Sequence, residues 1–124
     1  MSRRSARRSA LFTLYKWDLT GKPITEVLEP DADEYTRQIV EEVARRAGEL
    51  DTRITASAQD WRADRLGVVE RNVLRIAINE IETHAVPPEV AIDEAVTLAK
   101  RYASEDAGKL VNGILGRVAR EEAA

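Results

Sequence analysis

The strongest apolar periodicity in the chain lies between Leu66 and Ile81, LGVVERNVLRIAINEI. At 100° per residue, Leu66, Val69, Val73, Leu74, Ile76, Ala77, Ile78 and Ile81 spread over an arc of roughly 200°. A helix on a protein surface needs an apolar stripe of only about 100°. The pattern therefore predicts a central helix covered on two sides, with Val69, Val73, Ile76 and, from a later helix, Ile92 fully buried. Glu80 falls inside the apolar arc near Val73. A buried carboxylate must be paired, hydrogen-bonded or protonated, so Glu80 is expected to be structural and tied to a basic side chain or a helix end.

Helical spacing continues on both sides of this hub. Residues 2–20 lack Pro and Gly, Ser2 can cap their start, and Ala6, Ala10, Leu14 and Trp17 share a ridge. Arg7 lies on that same side, before the core-facing residues, so the helix is expected to project its basic end past the body. Gly21-Lys22-Pro23 ends it. After a connection over 24–32, Asp31 or Asp33 caps a second helix to about Arg46. Tyr35, Ile39, Val43, Leu50 and Ile54 carry the spacing into a third helix that ends near Ala58, with a break expected at Gly48. Trp61 stands in the linker DWRADR, as a core plug or a ligand platform.

Beyond the hub, Pro87-Pro88 forces a break just after His84, and Pro88 suits the first turn of a helix running to about Tyr102. Its expected inward face is Ile92, Ala95, Val96 and Ala99, with Asp93, Glu94, Lys100 and Arg101 outward. Ser104 caps the last helix, whose core face reads Ala107, Leu110, Val111, Ile114 and Val118. Asn112, Gly113 and Gly116 form a small-residue face on its other side. Glycine inside a helix costs about 1 kcal/mol against alanine, so this face predicts the close approach of a neighbouring helix or of a ligand.

Composition narrows the function. The chain has 124 residues, no Cys and one His, which leaves no thiolate or His-based metal site. No apolar run approaches the ~18 residues of a membrane span, and the Arg-rich start lacks a signal peptide's apolar stretch. No membrane association and a cytoplasmic location are expected. The net charge of −3 conceals an asymmetry: residues 1–17 carry +5 with no acid, and the remainder carries −8. The positive end holds Arg3, Arg4, Arg7 and Arg8. Guanidinium groups make bidentate contacts with phosphate and stack on bases. The block is either a phosphate-binding surface or a solvated helix start, and in the latter case it opposes the helix dipole. The tandem acids Asp93-Glu94 and Glu105-Asp106 diverge by 100° on a helix and cannot converge on one substrate atom. No catalytic residue and no cofactor are expected.

Three segments, ARRSALFTLYKWD, DWRADRLGVVERNVLRIAINEI and PPEVAIDEAVTLAKRYASEDAGKLVNGILGRVA, together resemble the bacterial transcription antitermination factor NusB family. The resemblance implies an all-α fold of two small helical subdomains, residues 1–58 and 59–124, packed on a central buried helix. It implies binding of boxA-type single-stranded RNA together with NusE, a small-subunit ribosomal protein. It also implies a role in the RNA polymerase antitermination complex that reads through terminators, notably in ribosomal RNA operons.

Carried over position by position, the RNA surface comprises Arg3, Arg4, Arg7 and Arg8, continuing onto Asp106, Lys109 and Leu110. A large aromatic often stands where Leu110 is. Tyr15 and Glu70 match positions that face NusE, and Glu70 also falls in the hub's apolar arc, which fits burial at a partner surface. Trp61, Asn112 and Gly113 join Glu80 as structural positions. Some family members self-associate through the RNA-binding face, so a homodimer is one form open to the chain. An interaction module that binds a protein partner without RNA is the alternative.

Overall fold

The computed structural model describes residues 2–58 and 65–124. Among them the regular structure is entirely helical: α1 (Arg3–Thr20), α2 (Ile24–Val27), α3 (Glu34–Ser57), α4 (Val68–Glu82), α5 (Pro88–Tyr102) and α6 (Glu105–Ala123). No helix among the described residues is long and apolar enough to cross a membrane. Trp61 lies outside the described residues.

The hub is α4. It packs against α1, α3, α5 and α6, while α1 pairs with α3, and α5 with α6. Every residue from Asn72 to Ile81 is buried, so the helix is enclosed on all sides. One hydrophobic cluster runs through Leu11 and Leu14 of α1, Ile39, Val43 and Ile54 of α3, and Leu74 and Ile78 of α4. It continues into Ala95 and Ala99 of α5 and Val111 and Leu115 of α6. Val73 and Ile76 are buried as the periodicity predicts, but Val69 and Ile92 are only half-buried. Val69 sits in the first turn of α4, near the rim. On α5 the fully buried face is Ala91, Ala95, Leu98 and Ala99, and Ile92 and Val96 pack against the core from its margin.

Local signals place the ends. Ser2 accepts a hydrogen bond from the Ser5 amide, Asp33 from Tyr35 and Ser104 from Ala107. Gly21 closes α1 at φ 68°, a left-handed conformation that glycine adopts at little cost. The expected break at Gly48 does not occur, and α3 is one helix of 24 residues. A mid-helix glycine costs about 1 kcal/mol. Burying Val43, Leu50 and Ile54 on either side of it contributes roughly 1.5–3 kcal/mol each, so packing outweighs propensity.

The close approach expected on α6 is also elsewhere. Asn112 and Gly113 are exposed, and a Cβ added at Gly113 would meet nothing within 4 Å. The tight glycine is Gly108, where a Cβ would come within 2.5 Å of Lys100 Cγ. The contact that needs a glycine is therefore the crossing of α5 and α6 near the start of α6. Among the described residues, nothing closes on Gly113, and Asn112 beside it is exposed.

Candidate nucleic-acid interface

The basic start of the chain does not project. Ala6, Arg7 and Ala10 are buried, and Thr36 of α3 donates to the Ala6 carbonyl, so α1 lies on the body from its second turn. The period of four splits the arginines into two ridges. Arg3 and Arg7 turn towards α3 and α4, whereas Arg4 and Arg8 turn towards α5.

On the inner ridge, Arg7 Nε donates to both carboxylate oxygens of Glu80, at 3.1 and 2.9 Å, with the two side chains 4% and 2% exposed. Glu80 thus has the basic partner that its position requires, and Tyr35 donates its hydroxyl to the same carboxylate. Burial, then the bond to Glu80, pushes the Tyr35 hydroxyl up to about 12. This corrects the assignment of Arg7 to a nucleic-acid surface, because its charge is already enclosed and neutralised inside the protein. Arg3 remains outside, its guanidinium 4.6 Å from the centre of the Tyr35 ring.

On the outer ridge, Arg4 donates to Glu94 of α5 at 3.0 to 3.3 Å and stays 74% exposed. Arg8 lines the same groove between α1 and α5, together with Arg101. Further along the seam, Leu11, Phe12, Tyr15, Val69 and Tyr102 border an open apolar depression of about 240 Å³. Phe12 and Tyr15 are 45% and 40% exposed there, and Phe12 meets Tyr102 edge to face with ring centres 5.1 Å apart. Glu70 is half-buried and folds back to accept the Gly67 amide at 3.0 Å, capping α4. Gly67 leaves room for that carboxylate, since a Cβ there would lie 2.4 Å from it.

Of the α6 residues, Asp106 and Lys109 are exposed, and Leu110 is half-buried against the core rather than fully inside it. The end of α5 stands between this segment and α1. Lys100 packs on Gly108 and pairs with Glu105 at 3.9 Å, while Arg101 shares the groove of Arg4 and Arg8. Lys100 and Arg101 were legible only as outward-facing charges, and the fold places them between the groove of Arg4 and Arg8 and the start of α6.

Sequence reasoning also missed the polar side of the hub. Asp18 of α1 accepts from Arg71, Asn72 and Arg75 at 3.1, 2.8 and 3.0 Å, and Arg75 forks onto Asp51 of α3 at 2.8 and 2.7 Å. Burial alone raises the Asp18 carboxyl. The Asn72 hydrogen bond and the charges of Arg75 and Arg71 outweigh it, so its pKa lies below the usual carboxylate value. The signal was the repeat Arg71-Asn72, Arg75, Asn79, one side of the helix occupied by polar residues, which reads in isolation as a solvated face.

Arginines and exposed aromatics gathered along one seam of a helical bundle have the composition of an interface for another macromolecule. The sequence pattern of the NusB family matches residues 4–120, and the chain belongs to that family. The transcription antitermination protein NusB of Solibacter usitatus is 35% identical over 97% of this chain and 90% of its own. T. maritima NusB superimposes with a TM-score of 0.86 at 34% identity, covering 98% of this chain and 92% of that one. A structure of the antitermination factors NusB and NusE in complex with dsRNA gives 0.85 at 35% identity, covering 96% of each chain. Transcription antitermination, without enzymatic chemistry, is the role this membership assigns.

Proposed function

We propose that this chain binds boxA-type single-stranded RNA together with NusE and, within the RNA polymerase antitermination complex, supports read-through of terminators in ribosomal RNA operons. The observation that carries this reading is the set of α1 arginines left outside the core. Arg3, Arg4 and Arg8 are held on a folded helix, and Arg8 has no ion pair among the described residues. Exposed Asp106 and Lys109 and half-buried Leu110 extend the RNA surface onto α6. Tyr15 and Glu70 face NusE. The apolar depression around Tyr15 supports that assignment, because an exposed aromatic pair beside an apolar hollow suits an interface core. Arg7 has no part in the RNA contact.

The test is RNA affinity across a salt series, alone and with NusE, using boxA-like, scrambled and double-stranded RNA. Each phosphate contact to a single strand gives a slope of about −0.7 in log K against log salt. A negative slope with preference for the boxA strand is the expected result. NusE binding with no RNA binding under any condition would make the chain a protein-interaction module instead.

A further inference from the structure

Three guanidinium groups and one carboxylate line the narrow groove where α1 passes α5: Arg4, Arg8, Arg101 and Glu94, beside Thr97 and Tyr102. The space is about 50 Å³, too small to seat a base. Its charge is unbalanced. Glu94 is engaged by Arg4 through three contacts of 3.0 to 3.3 Å, with its side chain only 15% exposed. Arg8 and Arg101 carry no ion pair among the described residues. Arg101 is held in place by its own neighbour, the guanidinium lying 5.4 Å from the centre of the Tyr102 ring.

The planar fork of Arg4 grips a carboxylate in the way it would grip a phosphate, since both offer paired oxygens at similar spacing. We propose that this groove is a phosphodiester subsite in which Arg101 is the third cation, and that Glu94 is a resident anion which an RNA phosphate displaces from Arg4. The inference rests on the RNA-binding reading and deepens it. It adds Arg101 to the contact surface and makes Glu94 a residue that restrains binding. The position of Arg101 also routes the strand. The last turn of α5 touches the α1 groove through Arg101 and the start of α6 through Lys100, so a strand crossing from Arg8 to Lys109 passes over it. A basic residue in the last turn of a helix also complements the helix dipole, and a role confined to that would leave RNA binding untouched by its removal.

The experiment measures binding of boxA-like single-stranded RNA, with NusE present, to the unaltered protein and to Arg101→Gln and Glu94→Gln, from 50 mM salt upward. Arg101→Gln is expected to weaken binding about five- to tenfold at 50 mM salt and to flatten the slope by about 0.7. Matched and scrambled RNA should suffer alike, because phosphate contacts carry no sequence information. Glu94→Gln is expected to strengthen binding severalfold and to steepen the slope, because neutralising the phosphate at Arg4 then releases an RNA counterion with no freed Glu94 carboxylate to take one up. Thermal unfolding of both variants should stay close to that of the parent. Weaker binding by Glu94→Gln would show that Glu94 only positions Arg4, and unchanged affinity and slope in Arg101→Gln would remove the subsite. Either result overturns the inference while RNA binding by the parent stands. No RNA binding by the parent overturns the RNA reading itself, and the subsite with it.

Discussion

Two arginine–glutamate pairs start from the same helix, three residues apart, and do opposite things. Arg7–Glu80 is sealed within the protein at 2.9 Å, and Arg4–Glu94 lies at the surface at 3.0 Å. The bond lengths are alike; the surroundings are not. In the first pair neither charge can reach water, so removing one partner strands the other. In the second, Arg4 is 74% exposed and water can take its place beside Glu94, and pairs with a surface-exposed partner contribute about 0–1 kcal/mol. The lesson is that an arginine-rich segment is not one functional unit. A helix sorts it, with Arg7 fastening the segment to the core and Arg4 left at the surface.

The largest test of this contrast is to break the inner pair. Arg7→Ala or Glu80→Ala is expected to destabilise the fold by about 3–5 kcal/mol, the range for an uncompensated buried charge. Chemical denaturation would measure it, and replacing both residues together by Met and Leu should recover much of the loss. Arg4→Ala should cost less than about 1 kcal/mol in the same assay. If the two single substitutions cost the same, the distinction between the ridges fails.

RNA binding should show the reverse order. Removing Arg4 and Arg8 together is expected to flatten the salt slope by up to about 1.4, two contacts at 0.7 each. Glu94 already screens Arg4, so the shortfall from 1.4 measures that screening. The Arg7-to-Met, Glu80-to-Leu double substitution should leave the slope unchanged once its folding is verified.

Two titrations sharpen the comparison further. Tyr35 donates to the buried Glu80, and its pKa is raised to about 12 from 10.0. A raised folded-state value means that its contribution is complete below pH 10 and declines as pH rises through about 12. Tyr35→Phe should flatten that alkaline decline. Asp18 is shifted the other way, so its contribution is present above the ordinary carboxylate value and is lost as pH falls through the lower folded-state value. Asp18→Asn should flatten the acid limb of the stability curve.

The smallest expected effect concerns the backbone of Glu80 rather than its side chain. The Ala85 amide donates to the Glu80 carbonyl and His84 to Ile81, closing α4 with His84 at φ 58°. This is a Schellman end carrying a non-glycine residue in the left-handed region. His84→Gly should raise the unfolding free energy measured by chemical denaturation by up to about 1 kcal/mol, since the L-residue penalty of roughly 1–2 kcal/mol exceeds glycine's entropic cost.

The repeating apolar positions made the helices and the hub legible, because burial on one side imposes its period on the sequence. What they could not convey was which partner each odd residue meets. Glu80 called for a cation, and Arg7 stood on the apolar ridge of α1. Each was half of one contact across 73 residues of chain, and only the fold joins them. Lacking that contact, the reading sent α1 past the body. Gly48 misled for a different reason: its local preference was real and smaller than the packing around it. The small-residue face at Gly113 allowed a helix or a ligand to approach; the helix crossing lies at Gly108 instead. Arg101 counted only as a solvent-facing charge, because nothing in its neighbourhood of sequence mentions Arg4 or Arg8.

The early capping of α1 has a kinetic and entropic consequence. Ser2 starts the helix, and the burial of Ala6, Arg7 and Ala10 holds it. The arginines are therefore already ordered before any RNA arrives. Fixing a residue's backbone costs about 1–2 kcal/mol, and in a disordered arginine-rich tail that cost falls on the binding step. In this chain it falls on folding. A free peptide of residues 1–20 would carry every arginine of the segment, including the one the protein conceals, and should still bind RNA more weakly than the folded chain. Comparing the two would separate the contribution of charge from the contribution of its arrangement.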